Sequence, residues 1–229
     1  MAAETEGVPP APDKFHRELA SLKDKLLELA RLAEQAMERS VSAFLKRDEN
    51  LALQIIKGDK AVNELEETID GECVRLIALF QPVSIDLRQL MAVDHIIAEL
   101  ERMGDCATNI AEEVLEVRKL LPQPSHPQLP QLVRDVQEMV RQSLQAFLQA
   151  DAGLARQVCQ ADDEVDELDR TIIADLLKDM AGDPAGVPAG QSQINVVRNL
   201  ERVGDHATNI AEQVVYMVEG ESIRHRCQG

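Results

Sequence analysis

The sequence predicts an all-α protein made of two tandem antiparallel three-helix bundles. A thirteen-residue stretch at 100–112 recurs at 200–212 with only two differences, which indicates an internal repeat. Apolar residues follow alternating steps of three and four, which is the heptad pattern of packed helices. Hydrophobic residues make up 45% of the chain and aromatic residues only 2%, so the predicted core is aliphatic.

In the first half, the apolar spacing predicts one helix over about 14–47 and a second helix that begins after Asp48, a suitable N-cap. Pro82 ends the second helix in a short turn, and Ser84 can cap the third helix, which carries the first copy of the repeat. Short connections make neighbouring helices antiparallel, so the three helices form a bundle.

The second half repeats this order of helices. Residues 162–172 match residues 59–69 at an offset of 103, which falls to 100 at the thirteen-residue stretch. The predicted division is a disordered N-terminal tail (1–13), a first bundle (14–120), a proline-containing linker (121–130), a second bundle (131–219) and a C-terminal tail (220–229).

The formal net charge of −17 opposes binding to nucleic acid and to anionic membrane surfaces, and it suits cations or a basic protein surface. No apolar run approaches the length of a transmembrane helix, and the acidic start lacks the apolar region of a secretory signal. The four cysteines show no paired spacing. We therefore expect a reduced, cytoplasmic protein without membrane insertion.

Oxygen-bearing side chains gather on one side of the second and third helix of each half, opposite the apolar seam. Counting outward from the turn at Val83 puts Asp59 level with Ala107, so the second helix adds ligands beside the repeated stretch. The candidate metal-binding residues are Asp59, Asn63, Glu66, Glu101, Asp105, Asn109 and Glu112 in the first half, and Asp162, Asp166, Asp169, Glu201, Asp205, Asn209 and Glu212 in the second.

Carboxylate and amide oxygens suit hard ions such as magnesium, manganese or ferric iron better than zinc. An acidic helical protein can also solvate such a face without binding any ion, but the recurrence of the same side chains favours cation sites. His206 could add a nitrogen ligand, although its position favours packing. An inward di-iron site is discounted, because the carboxylates lie opposite the seam and no Glu-x-x-His occurs.

No nucleophile elbow, P-loop, dinucleotide-binding glycine pattern or zinc-binding Cys/His spacing is present, so no catalytic residue is assigned. Two functions remain as hypotheses. The first is an adaptor that binds partner proteins. The second is a metal-dependent hydrolase of phosphate compounds, which needs an open coordination position and a general base.

Leu-Glu-Arg-Met-Gly-Asp at 100–105 and Leu-Glu-Arg-Val-Gly-Asp at 200–205 strongly resemble the PhoU family of bacterial phosphate uptake regulators. Further resemblance lies in the stretches 57–63, 81–88 and 219–225, and it extends over roughly residues 14–226. The resemblance implies two tandem three-helix bundles with surface metal clusters that hold iron or other ions, such as manganese, magnesium or zinc.

The resemblance also implies a cytoplasmic regulator that forms a homodimer. Such a regulator acts between the ATPase of the phosphate ABC transporter and the sensor histidine kinase of the phosphate regulon, and it represses signalling when phosphate is plentiful. The residues carried over as metal positions are Glu101, Asp105, Glu201 and Asp205, followed by Asn109, Glu112, Asn209 and Glu212. Asn63 departs from the fully acidic pattern, because the second half has Asp166 there.

Overall fold

The computed structural model describes residues 12–223, which form six long helices and one short 3₁₀ helix and contain no strand. The helices are α1 (Pro12–Lys46), α2 (Glu49–Phe80), α3 (Ser84–Val117), α4 (Leu129–Gln149), α5 (Ala152–Gly182) and α6 (Val187–Glu219), and the 3₁₀ helix is Pro184–Gly186. The predicted all-α class is confirmed. Between residues 12 and 223, no helix has both the length and the apolar character needed to cross a membrane.

Two three-helix bundles follow each other along the chain, as predicted. α1 and α2 pack on α3, whereas α4 and α5 pack on α6. α3 and α6 also pack on each other and join the bundles, while α1 and α4 barely touch. α1 and α4 therefore lie on one face of the central pair, and the repeat places α2 and α5 on the other face.

The predicted apolar seam of α3 is buried along its whole length. Its residues are each at most 3% exposed, namely Ile96, Leu100, Met103, Ala107, Ile110, Val114 and Val117. Each buried Leu, Ile or Val side chain stabilises the fold by about 1.5–3 kcal/mol. The seam therefore supplies much of the free energy that holds the first bundle together and leaves the opposite side of α3 for polar groups.

Aspartates cap the second helix of each bundle. Asp48 Oδ1 accepts a hydrogen bond from the Leu51 N–H at 3.0 Å, which confirms the predicted N-cap. The prediction that Ser84 caps α3 is wrong, because Ser84 is already the first residue of α3 and has a φ of 53°. Val83 occupies the N-cap position without a side-chain hydrogen bond.

The boundaries of the tails and linker differ slightly from the prediction. Pro12 and Asp13 belong to α1, while residues 1–11 and 224–229 of the predicted tails lie outside the described residues. α4 begins at Leu129, within the predicted linker 121–130. Pro130 does not end a helix here, because a proline in the first helical turn lacks only an N–H that has no partner in any case.

Gly104 and Gly204 let the second helix of each bundle approach the third. A Cβ atom on Gly104 would lie 3.2 Å from Val62 Cγ1 and 3.6 Å from Asp59 Oδ1. A Cβ atom on Gly204 would lie 3.8 Å from Asp162 Oδ1. The close approach explains why both helices tolerate a mid-helix glycine that costs about 1 kcal/mol relative to alanine.

A substitution at Gly104 tests this close approach, and a substitution at Gly71 serves as its control. A Cβ atom on Gly71 of α2 would meet no neighbouring group within 4 Å, so Gly71→Ala should raise the free energy of unfolding by about 0.5–1 kcal/mol. Gly104→Leu should lower it by about 1–3 kcal/mol, because the new side chain must displace Val62 and Asp59. Urea unfolding followed by circular dichroism measures both changes. Stabilisation by Gly104→Leu would contradict the close approach.

Candidate functional site

The first candidate cluster lies where α2 packs on α3. Thr108 Oγ1 donates to Asp59 Oδ1 at 3.4 Å, and Asn63 Nδ2 donates to Asp59 Oδ2 at 3.2 Å. Asp59 therefore lies beside the segment between Gly104 and Thr108, as the predicted register requires. This register brings the acidic side of α2 next to Glu101 and Asp105.

Burial and neighbouring like charges raise the pKa values of the carboxyl groups in this first cluster. Burial raises the pKa of Glu101, and repulsion from Asp105, Glu66 and Asp59 raises it further. Burial and Asp59 also raise the pKa of Asp105, whereas Arg202 on α6 opposes that shift. The four carboxyl groups therefore form one electrostatically coupled group.

The second cluster lies where α5 packs on α6, and part of it is buried. Asp162 and Asp169 are only 9% and 4% exposed. The prediction of an outward-facing surface stripe is therefore wrong for these two residues, because close packing of α5 on α6 covers them. Asp166, Glu201 and Asp205 remain partly exposed.

The pKa shifts of the carboxyl groups are larger in the second cluster. Burial raises the pKa of Glu201 to about 7, with further contributions from Asp205, Asp169 and Asp166. Burial also raises the pKa of Asp162 to about 6, with added repulsion from Asp205 and Asp166. The second repeat has a carboxylate where the first has an amide, so it collects more negative charge in a similar space.

The donors of both clusters fit a hard cation. The buried atoms Asn63 Oδ1 and Asp169 Oδ1 have no hydrogen-bond partner among the described residues, and such buried oxygens are unfavourable unless satisfied. Carboxylate and amide oxygens are the ligands that hard cations prefer. Within residues 12–223, no three His, Cys, Asp or Glu side chains already converge to hold an ion, so an ion would have to draw these groups together.

The predicted ligands Asn109 and Asn209 face the contact between the two bundles. Asn109 Nδ2 donates to Asn199 Oδ1 at 3.1 Å, and Asn209 Nδ2 donates to Glu99 Oε2 at 3.0 Å. Positions 99 and 199 are related by the repeat, so the same interhelical contact occurs twice. His206 Nδ1 lies 2.8 Å from Glu99 Oε2 and thus links α6 to α3 as well.

Glu99 is a residue of the contact between the bundles that the sequence reasoning did not single out. Burial acts to raise its pKa, but hydrogen bonds from His206 and Asn209 and the charge of Arg102 leave it below its usual value. Arg102 Nη1 donates to Glu99 Oε1 at 2.8 Å on the same helix. The one available signal was the polar residue Asn199 at the equivalent position of the second repeat.

Glu112 and Glu212 lie apart from the two clusters. Glu112 lies seven residues beyond Asp105, and Glu212 lies seven residues beyond Asp205, which is about 10 Å along the helix in each case. Glu212 borders a separate cavity together with His95 and Tyr216. The structure therefore brings ten of the fourteen predicted metal-binding side chains into two clusters and places the two asparagines and these two glutamates elsewhere.

Two buried cysteines are packing residues rather than reactive thiols. Burial raises the pKa of Cys73 to about 12 and that of Cys106 to about 11. Both therefore stay protonated at neutral pH, and a protonated thiol is a poor nucleophile. Cys73 is 1% exposed, so its side chain belongs to the core.

Together, the fold and the clusters define a class of all-α protein in which two repeated three-helix bundles each carry a carboxylate cluster between their second and third helices. The family model described as the PhoU domain matches residues 26–114 and 129–214, once in each bundle. The chain therefore belongs to the PhoU family, and the resemblance seen in the two motifs is confirmed.

Relatives in bacteria match 93% of the chain. The phosphate-specific transport system accessory protein PhoU homolog of Pseudomonas putida is 36% identical over 213 residues, which cover 93% of this chain and 83% of the relative. The accessory protein PhoU of Escherichia coli strain K12 is 35% identical over 212 residues, which cover 93% and 88%. These relatives are named as accessory proteins rather than as enzymes.

Solved structures share the fold. The crystal structure of PhoU from Pseudomonas aeruginosa has a TM-score of 0.85 at 35% identity and covers 90% of this chain and 100% of that chain. The phosphate transport system regulatory protein PhoU from Streptococcus pneumoniae has a TM-score of 0.85 at 30% identity and covers 91% and 98%. The two tandem bundles are therefore the architecture of the family.

Glu201 should make the stability of the chelator-treated protein depend on pH. Its pKa is raised from 4.5 to about 7 on folding, so the folded state binds more protons than the unfolded state between these values. The free energy of unfolding must therefore fall as the pH rises through this window. We expect Glu201→Gln to flatten this fall and to stabilise the protein at pH 8 by about 1 kcal/mol, allowing for solvent screening.

Urea unfolding at several pH values between about 5 and 8 measures this effect. Glu28→Gln, at an exposed position of α1, is the matched control because it removes the same charge outside the clusters. Parallel pH profiles for Glu201→Gln and the unaltered protein would show that folding does not raise the pKa of Glu201 as described.

Proposed function

We propose that this chain is an accessory protein of a phosphate-specific transport system. The match over 93% of the chain to relatives named for that role carries the proposal. A shared fold alone would not assign a function. Here the sequence agreement extends through both bundles, which supports a shared role as well as a shared fold.

Within that role, the proposed activity is that of a cytoplasmic adaptor that forms a homodimer. It contacts the ATPase subunit of the phosphate ABC transporter and the cytoplasmic part of a sensor histidine kinase, and it represses signalling and uptake when phosphate is plentiful. The motifs of the PhoU family support this assignment. The net charge of −17 favours contact with basic protein surfaces over nucleic acid or anionic lipid.

Cation binding at both clusters is part of the proposal. The ligands are Asp59, Asn63, Glu66, Glu101 and Asp105 in the first cluster, and Asp162, Asp166, Asp169, Glu201 and Asp205 in the second. The oxygen donors favour iron, manganese or magnesium over zinc. A bound cation relieves the repulsion between the carboxylates and ties the second helix of each bundle to the third, which is a structural or regulatory task rather than a catalytic one.

A pull-down tests the adaptor function. The purified protein should retain the ATPase subunit of the phosphate transporter and the cytoplasmic part of the sensor kinase, but not the ATPase of an unrelated ABC transporter. Retention of neither partner, at high or low phosphate and with crosslinking in cells, would refute the adaptor function.

A phosphatase screen of the metal-loaded protein tests the hydrolase alternative. Phosphatase turnover that is lost in Asp205→Ala would favour that alternative.

The two clusters should differ in cation affinity. The second cluster has Asp166 where the first has Asn63, and a carboxylate binds a hard cation more strongly than an amide does. Asp205→Ala should therefore remove more bound metal than Asp105→Ala. Neither change should unfold a bundle, because both carboxylates lie away from the apolar seam and each loss relieves repulsion.

Mass spectrometry of metal content after limited chelation measures this difference, with helicity followed by circular dichroism. Equal metal loss from the two variants would remove the proposed asymmetry. If neither variant loses metal, the clusters are solvated acidic faces rather than cation sites.

A further inference from the structure

A groove lies between α1 and α4, away from the carboxylate clusters. It has a volume of about 400 Å³, and Met103 and Val203 form its floor where α3 meets α6. Residues two positions apart on a helix point about 200° apart. Met103 therefore lies on the opposite side of α3 from Glu101 and Asp105, so the groove is separate from the candidate metal sites.

The groove lies on the approximate two-fold axis that relates the repeats. Its apolar lining consists of repeat-equivalent pairs, namely Ala33 and Val136, Met37 and Val140, and Met103 and Val203. Each of these residues is at most 5% exposed, so the apolar lining lies deep in the groove. A volume of about 400 Å³ has room for a few apolar side chains, but not for a whole helix.

The polar rim breaks this symmetry. α1 contributes Glu34 and Glu38, whereas the equivalent positions of α4 are Gln137 and Arg141. Arg141 Nε donates to Glu138 Oε2 at 2.8 Å, so the guanidinium is held on its own helix. One wall of the groove is thus acidic, and the opposite wall does not neutralise it.

Glu34 and Glu38 form no ion pair with another residue in the range 12–223. Partial burial raises the pKa of Glu34, and no neighbouring cation offsets that shift. A positive charge placed at this rim would therefore gain a favourable interaction with both carboxylates.

We propose that the groove docks an amphipathic helix of a partner protein, whose apolar side chains fill the groove and whose Lys or Arg side chains pair with Glu34 and Glu38. The ridge of side chains on one helix packs naturally into the groove between two others. The net charge of −17 attracts a basic segment and repels an anionic membrane. The proposal holds whichever protein supplies the helix, so it does not rest on the proposed adaptor function.

Methionine methyl NMR gives a local readout of binding at this groove. The probe is a synthetic helical peptide of about five turns with leucine on one face and lysine along its flanks. In protein with ¹³C-labelled methionine methyl groups, the signals of Met37 and Met103 should shift on addition of the peptide. The signals of Met180, which lines a cavity beside the linker, and of Met217 should stay unchanged.

Paired variants test the role of the acidic wall. The double variant Glu34→Gln and Glu38→Gln should weaken peptide binding by about fivefold to tenfold. The control, Glu164→Gln with Glu167→Gln, makes the same change in net charge at exposed positions of α5, which does not contact α1. The control should leave the affinity within about twofold.

Two control peptides separate the groove from general charge attraction. A scrambled peptide of the same composition, and a peptide with glutamate in place of lysine, should both leave Met37 and Met103 unshifted. Equal binding of the scrambled peptide, equal weakening by the two double variants, or shifts confined to methionines outside the groove would overturn the proposal. Shifts of Met37 and Met103 with protein concentration alone would assign the groove to a second copy of the chain and would also overturn it.

Discussion

The packing of α3 on α6 is the contact on which the rest of the structure depends. Each central helix buries one side against its own bundle and another against the other bundle. Polar side chains of the central helices either pair with each other across the α3–α6 contact or lie along the lines where another helix covers the central one incompletely. The α2 and α5 edges hold the carboxylate clusters, and the α1 and α4 edges leave the groove.

The carboxylate clusters work against the stability that this packing supplies. Glu201 gains a pKa of about 7 and Asp162 a pKa of about 6 because partial burial and acidic neighbours both disfavour the charged forms. Mutual repulsion of this kind lowers the free energy of unfolding at neutral pH and makes no contribution to packing. Such an arrangement is typical of sites shaped by a ligand rather than by folding alone.

The helices, the seam and the helix register could be predicted because they depend on local periodicity and on short turns. The Asp48 cap and the position of Asp59 beside the repeated stretch follow from the same rules. The start of α4 could not be read as reliably, because Pro130 is compatible with both a linker and a first helical turn.

Features that depend on the packing of one bundle against the other could not be predicted. Glu99 reads as one more acidic residue until α6 brings His206 to 2.8 Å from its carboxylate. The burial of Asp169 depends on how closely α5 packs on α6, and periodicity does not specify that distance. The groove likewise exists only because α1 and α4 lie on the same face of the central pair and barely touch.

The fused repeat gives the protein a directionality that a symmetric pair of identical bundles would lack. The contact of Asn209 with Glu99 and the contact of Asn109 with Asn199 occupy equivalent positions, but only the first includes a charge. The groove rim differs in the same way, because Glu34 on α1 is equivalent to Gln137 on α4. A helix bound on an exact two-fold axis would have two equivalent orientations. One acidic wall makes these orientations unequal in energy, so divergence between the repeats can select a single bound orientation without any change of fold.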